Sequence, residues 1–163
     1  MIKKLLVVLL VAFVVIQFFR PELNDSNDET YAMVTEYEIP ETVQTILKTS
    51  CLDCHSNNTR YPWYAKVQPV AWWLDDHIKH GKGDLNFSEF TNRRIAIQNH
   101  KFEEIVEMVE EKEMPLPEYT YLGLHGDAKL SDDERTMLMD WAKAQMARLQ
   151  NVYPADSLVL RRR

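Results

Sequence analysis

Both cysteines of the 163-residue chain fall within one pentapeptide, Cys51-Leu52-Asp53-Cys54-His55. The motif uses every thiol, so no disulfide framework can be drawn, and a chain that is 45% apolar must fold around an ordinary core. The spacing carries its own chemistry. Two thiols three positions apart on a helical turn can each form a thioether with one vinyl group of a haem. The histidine that follows then supplies the proximal nitrogen to the iron, as in c-type attachment. Two other readings compete. Half a zinc site could be completed by His77 and His80, but that second pair is spaced too tightly for a tetrahedral dyad. A thioredoxin-like redox pair needs a preceding strand, and none is credible here.

The amino terminus bears on the choice. Met1 to Arg20 places Lys3 and Lys4 ahead of an unbroken apolar run from Leu5 to Ile16, followed by Gln17, Phe18, Phe19 and Arg20. This is the basic and apolar pattern of an export signal. A small-residue cleavage site is not evident, so residues 1–20 are expected to remain as a signal-anchor, with cleavage to a soluble periplasmic form as the alternative. The two lysines put the amino end in the cytoplasm and the remainder on the periplasmic side of the bacterial inner membrane. Covalent haem attachment takes place outside the cytoplasm, so the two features agree.

Composition removes other classes. Acidic residues outnumber basic ones, 25 to 19, which argues against nucleic-acid binding. The four glycines, Gly81, Gly83, Gly123 and Gly126, cannot spell a dinucleotide-binding or phosphate-binding loop.

Periodicity predicts helices and no strands. Residues 21–39, acidic and aperiodic over Glu22 to Thr30, read as a tether to a single domain over 40–150. Pro40 opens a short helix whose Val43, Ile46 and Leu47 share a face and which runs into Cys51. A second helix spans Pro69 to His80, with Gly81 as its cap. A third covers Asn92 to Glu113, with a possible break near Asn99, and ends before Pro115 and Pro117. Ser131 with Glu134 forms a capping box that starts the last helix, which Arg148 closes. Residues 151–163 read as a tail, frayed at Arg161 to Arg163. The fold class is all-α with long loops.

Several stretches taken together resemble a known family. They are Cys51-Leu-Asp-Cys-His-Ser-Asn-Asn-Thr-Arg-Tyr-Pro-Trp-Tyr64, His77-Ile-Lys-His-Gly81, Leu85-Asn-Phe-Ser88, Met114-Pro-Leu-Pro117 and Leu130-Ser131. From about Thr42 to Arg148 the chain resembles the bacterial haem-binding domain family, exported proteins related to single-haem c-type cytochromes. The resemblance implies a cytochrome c-like helical domain with one covalent haem c held by Cys51, Cys54 and His55. A methionine in a proline-containing loop before the last helix is then the expected distal ligand, and Met114 occupies that place. His77, His80 and His125 are the alternatives. Tyr61, Pro62, Trp63, Trp72, His77 and His125 are the further candidates for the haem pocket, and Asp75 with Asp76 reads as a solvated helix face. The expected function is single-electron transfer to a redox partner protein or membrane complex. A ligand sensor or peroxidase-like enzyme with an open sixth position is the alternative, and an electron carrier is favoured over a catalyst.

Overall fold

The computed structural model describes residues 1–120 and 125–160. Among them are seven α-helices and no strand: α1 (Ile2–Ile16), α2 (Glu41–Ser50), α3 (Leu52–His55), α4 (Val70–Asp84), α5 (Ile95–Glu110), α6 (Pro117–Thr120) and α7 (Asp132–Val152). The all-α expectation holds. Arg161 to Arg163 lie outside the described residues.

The best-marked start in the sequence is the best-capped helix in the fold. Ser131 accepts from the Glu134 amide, and the Glu134 carboxylate accepts from the Ser131 amide, so two otherwise orphaned donors are satisfied reciprocally. Helix α7 continues past Arg148 to Val152, and α5 runs through Asn99 without a break. The prediction for α4 fails at its end. Gly81 does not stop the helix but lies inside it, because α4 passes so near α3 that a Cβ at Gly81 would meet the Cys54 carbonyl oxygen at 2.9 Å. Glycine is there for close approach, not for a turn.

The main core is built by α2, α5 and α7. Phe102, with no exposed surface, sits at its centre, edge-on to Tyr37, Phe90 and Trp141. Val43, Ile46 and Leu47 of α2 and Leu138 and Leu149 of α7 close around it. Leu158 also packs into this core, so the segment after α7 is partly docked. A second, smaller cluster joins Leu74 and Ile78 of α4 to Tyr119 and Ala128.

The stretch expected to be a tether is instead bonded to the domain. The Asn24 amide donates to the Tyr61 hydroxyl (2.7 Å), its side chain donates to the Ser56 carbonyl (2.9 Å), and Asp25 and Asn58 form an isolated bridge. Farther along, Met33 and Tyr37 enter the core. The polar run Glu22 to Thr30 has no periodicity because its partners are scattered: loop groups around Ser56 to Tyr61, Ser88, and Lys82 of α4.

Helix α1 carries no buried residue. Among the described residues, no helix is long and apolar enough to cross a membrane.

Candidate functional site

Helix α2 ends at Ser50, and α3 begins at once, so Cys51, Cys54 and His55 lie on a single turn. The His55 amide donates to the Cys51 carbonyl at 3.0 Å, which brings the three side chains to one side. All three line a cavity of about 620 Å³, and so does Met114. The volume falls in the range of roughly 300–1,000 Å³ typical of small-molecule and cofactor sites.

His55 is held from behind. Its Nδ1 lies 2.9 Å from the Leu85 carbonyl oxygen, and the Phe87 amide donates to the His55 carbonyl at 2.8 Å. Nδ1 is thereby engaged, and Nε2 is the nitrogen left to bind a metal. Burial lowers the imidazole pKa, opposed by the Leu85 and Gly81 carbonyls, so the ring favours the neutral form that ligation requires.

Both thiols are raised rather than activated. Burial pushes Cys51 up to about 12, and burial with the Asp53 charge takes Cys54 to about 11. A redox-active CxxC pair needs the opposite shift. No cluster of three or more His, Cys, Asp or Glu side chains able to hold a metal ion occurs among the described residues, so His77 and His80 do not complete a zinc site.

Met114 reaches the cavity through a helix stop. Lys112 adopts a left-handed conformation (φ 62°), the Glu113 amide donates to the Met108 carbonyl at 3.0 Å, and the Lys112 amide donates to that of Val109 at 3.3 Å. This C-terminal motif turns the chain back over α5. Arg135, in the first turns of α7, then donates from Nη1 to the carbonyls of Val109 (2.9 Å) and Met114 (3.0 Å).

The cavity lies between the two apolar clusters. Leu47, Ile105, Val109 and Leu138 belong to one wall, and Tyr119 and Leu116 to the other. A large apolar group placed there joins two cores that otherwise remain separate, and the donor set at its edge is two thiols, an imidazole and a thioether. The residues present fit a haem.

At one edge of the cavity Asp53 is a buried carboxylate with three donors: the Tyr119 hydroxyl (2.9 Å), the Arg60 amide (3.0 Å) and the Arg60 guanidinium (3.3 Å). Burial and this carboxylate raise the Tyr119 phenol far above its ordinary value, so it stays a donor.

Other candidates distribute unevenly. His77 and His80 both line the cavity, each with Nδ1 bonded 2.8 Å from the carbonyl four residues earlier. Asp76 lines it too, whereas Asp75 pairs with Lys79 on the surface. Tyr61, Pro62, Trp63, Trp72 and His125 do not line it. Tyr61 is taken by Asn24, Trp63 is 74% exposed, and the Trp72 indole donates to the Phe19 carbonyl. His125 stacks on Tyr119 (4.2 Å between centroids, 10° between planes), which places it behind a wall residue. Sequence reasoning missed Met108, Ile105 and Lys101 as wall residues, although their spacing on α5 is that of a single helix face. It also missed Leu85 and Arg135, which act through a carbonyl and across 21 residues, respectively.

In comparison with known families, the sequence model of a haem-binding domain matches residues 11–144. No curated protein matches the chain, and no solved structure does. The matched stretch runs from within α1 to within α7, takes in every cavity residue named above and supports a haem cofactor. The protein belongs to the haem-binding domain family.

Proposed function

We propose that the protein carries one covalently attached haem c and relays single electrons on the periplasmic side of the bacterial inner membrane, held there by α1. When bound, the haem supplies a one-electron iron couple. Cys51 and Cys54 would anchor it by thioethers, and His55, oriented by the Leu85 carbonyl, would ligate through Nε2. Met114, presented by the turn after α5, would offer its thioether sulfur to the iron. A thioether at that position favours ferrous iron and raises the potential relative to a second imidazole. The buried wall of Leu47, Ile105, Val109 and Leu138 excludes water. The partner is a redox protein or a membrane electron-transfer complex.

The observation that carries this reading is the meeting of Cys51, Cys54, His55 and Met114 in one cavity bounded by both apolar clusters. His77 and His80 line the same cavity, so ligation by imidazole is the specific alternative. A sensor or peroxidase-like function requires the distal position to be open.

The test begins with attachment. After expression with a haem-maturation system, haem should stay with the polypeptide through denaturation and acidified-solvent extraction. Cys51→Ala combined with Cys54→Ala should lose it. Haem recovered free in the organic phase would sink the covalent assignment. Oxidised and reduced spectra with carbon monoxide then decide the function: poor binding by the reduced wild type supports electron transfer, and free binding supports the sensor or peroxidase reading.

A further inference from the structure

We propose that the haem domain is seated on the bilayer rather than swung on a tether, with the first turn of α4 and the loop before it resting in the lipid headgroup region. The proposal rests on the reading of α1 as a membrane anchor and adds where the domain sits.

Helix α1 carries no buried residue, and the residues that follow it are bonded to the domain. Gln17 and Gln68 are paired twice: the Gln68 amide donates to Gln17 Oε1 at 2.9 Å, and Gln17 Nε2 donates to the Gln68 carbonyl at 3.3 Å. The Phe19 carbonyl accepts from both Gln68 Nε2 and Trp72 Nε1, each at 2.8 Å. Gln68 is only 1% exposed, so this clamp is a built junction rather than a surface contact. The polar stretch that follows is bonded to Tyr61, Ser56 and Asn58, which removes the slack that a swinging arm would need.

Apolar side chains next to the clamp in sequence are exposed. Trp63 is 74% exposed and Phe18 81%, and Val67, Val70, Trp72 and Trp73 are also exposed. Clustered exposed tryptophans beside an apolar helix match the aromatic belt at a membrane–water interface, where an indole has an apolar body and a polar edge. Exposed Arg20 and Lys66 lie in the same two segments and suit anionic headgroups.

Length decides between a seat and a stalk. The 15 residues of α1 rise about 22 Å at about 1.5 Å each, against a hydrocarbon core of about 30 Å. A bilayer that thins around so short a helix brings its headgroups close to whatever is fixed to the helix end. The occupant of the aromatic face is therefore the bilayer that holds α1. One consequence concerns the haem cavity. Trp73 packs on His77 (4.4 Å between centroids), a cavity residue, so the α4 wall of the cavity is held near the membrane surface.

The full chain, with haem attached, is reconstituted into phosphatidylethanolamine–phosphatidylglycerol vesicles that contain a photoactivatable diazirine phospholipid, and adducts are mapped by mass spectrometry. Adducts are expected on α1 and on residues 63–73, and not on residues 143–152 of α7. Adducts on α1 with none on 63–73 overturn the seat and leave the anchor standing. That is also the outcome if a second copy or another protein covers the face. An α1 without adducts overturns the anchoring reading and the seat with it.

Discussion

The Nδ1 atom of His55 and the carbonyl oxygen of Leu85 lie 2.9 Å apart across 30 residues of sequence. One residue pair thus fixes the orientation of the imidazole, and the Phe87 amide bonded to the His55 carbonyl holds the two segments in register. The brace works only because α4 reaches Asp84 and delivers Leu85 to this place, and α4 can do so only by passing Cys54 at Gly81.

The crossing at Gly81 is directly testable. Gly81→Ala puts a Cβ at 2.9 Å from the Cys54 carbonyl oxygen, where backbone must shift. A loss of about 1–3 kcal/mol is expected from overpacking, together with less covalently bound haem per chain. Gly83→Ala meets nothing within 4 Å and should be neutral or stabilising by up to about 1 kcal/mol. Denaturant midpoints and haem content measure both, and equal behaviour of the two variants would show that the crossing is not tight.

Met114 and Arg135 should act together. A thioether on ferric haem gives a weak far-red charge-transfer band, so Met114→Ala should lose it, lower the midpoint potential and open the reduced protein to carbon monoxide. Arg135→Gln leaves the carbonyls of Val109 and Met114 without their shared donor. It should weaken the same band and lower the potential in the same direction while haem stays attached. His77→Ala and His80→Ala should leave the band in place. Loss of the band in either histidine variant, with Met114→Ala unchanged, would reassign the distal ligand.

The donors to Asp53 should differ in weight. Tyr119→Phe removes a buried hydroxyl from a buried carboxylate and should cost about 1–3 kcal/mol in thermal or denaturant unfolding. Arg60 has a side chain that is 56% exposed, so Arg60→Ala should cost under about 1 kcal/mol, and its backbone amide remains to donate. The reverse order would mean that the ion pair, not the phenol, holds Asp53.

Acid should weaken the fold in a known window. Burial lowers the His125 pKa below its ordinary 6.5, opposed by Asp53 and Asp127, and its buried Nε2 has no hydrogen-bond partner among the described residues. Below pH 6.5 the unfolded chain takes up a proton before the folded chain does, so stability falls as pH drops through that value. His125→Phe should flatten part of this fall in denaturant midpoints measured from neutral pH downward. An unchanged slope would place the acid sensitivity elsewhere.

What the sequence determined by itself is what short-range chemistry controls. The CxxCH pentapeptide declares a one-turn cluster of two thiols and an imidazole because its spacing is the spacing of a helix turn. Ser131 and Glu134 declare a helix start because each caps the other within four residues. Val43, Ile46 and Leu47 declare a buried face through their period alone. Tertiary structure decided everything that depends on a distant partner. Gly81 reads as a helix stop until α3 is packed against it, since a missing Cβ serves a turn and a close crossing equally well. Glu22 to Thr30 reads as a tether because hydrogen bonds to loop groups leave no periodic trace. His125 reads as a ligand candidate until Tyr119 is stacked between it and the cavity. Trp72 reads as a haem-pocket candidate until the chain is folded, because hydrophobicity reports that a side chain avoids water but not which apolar surface receives it.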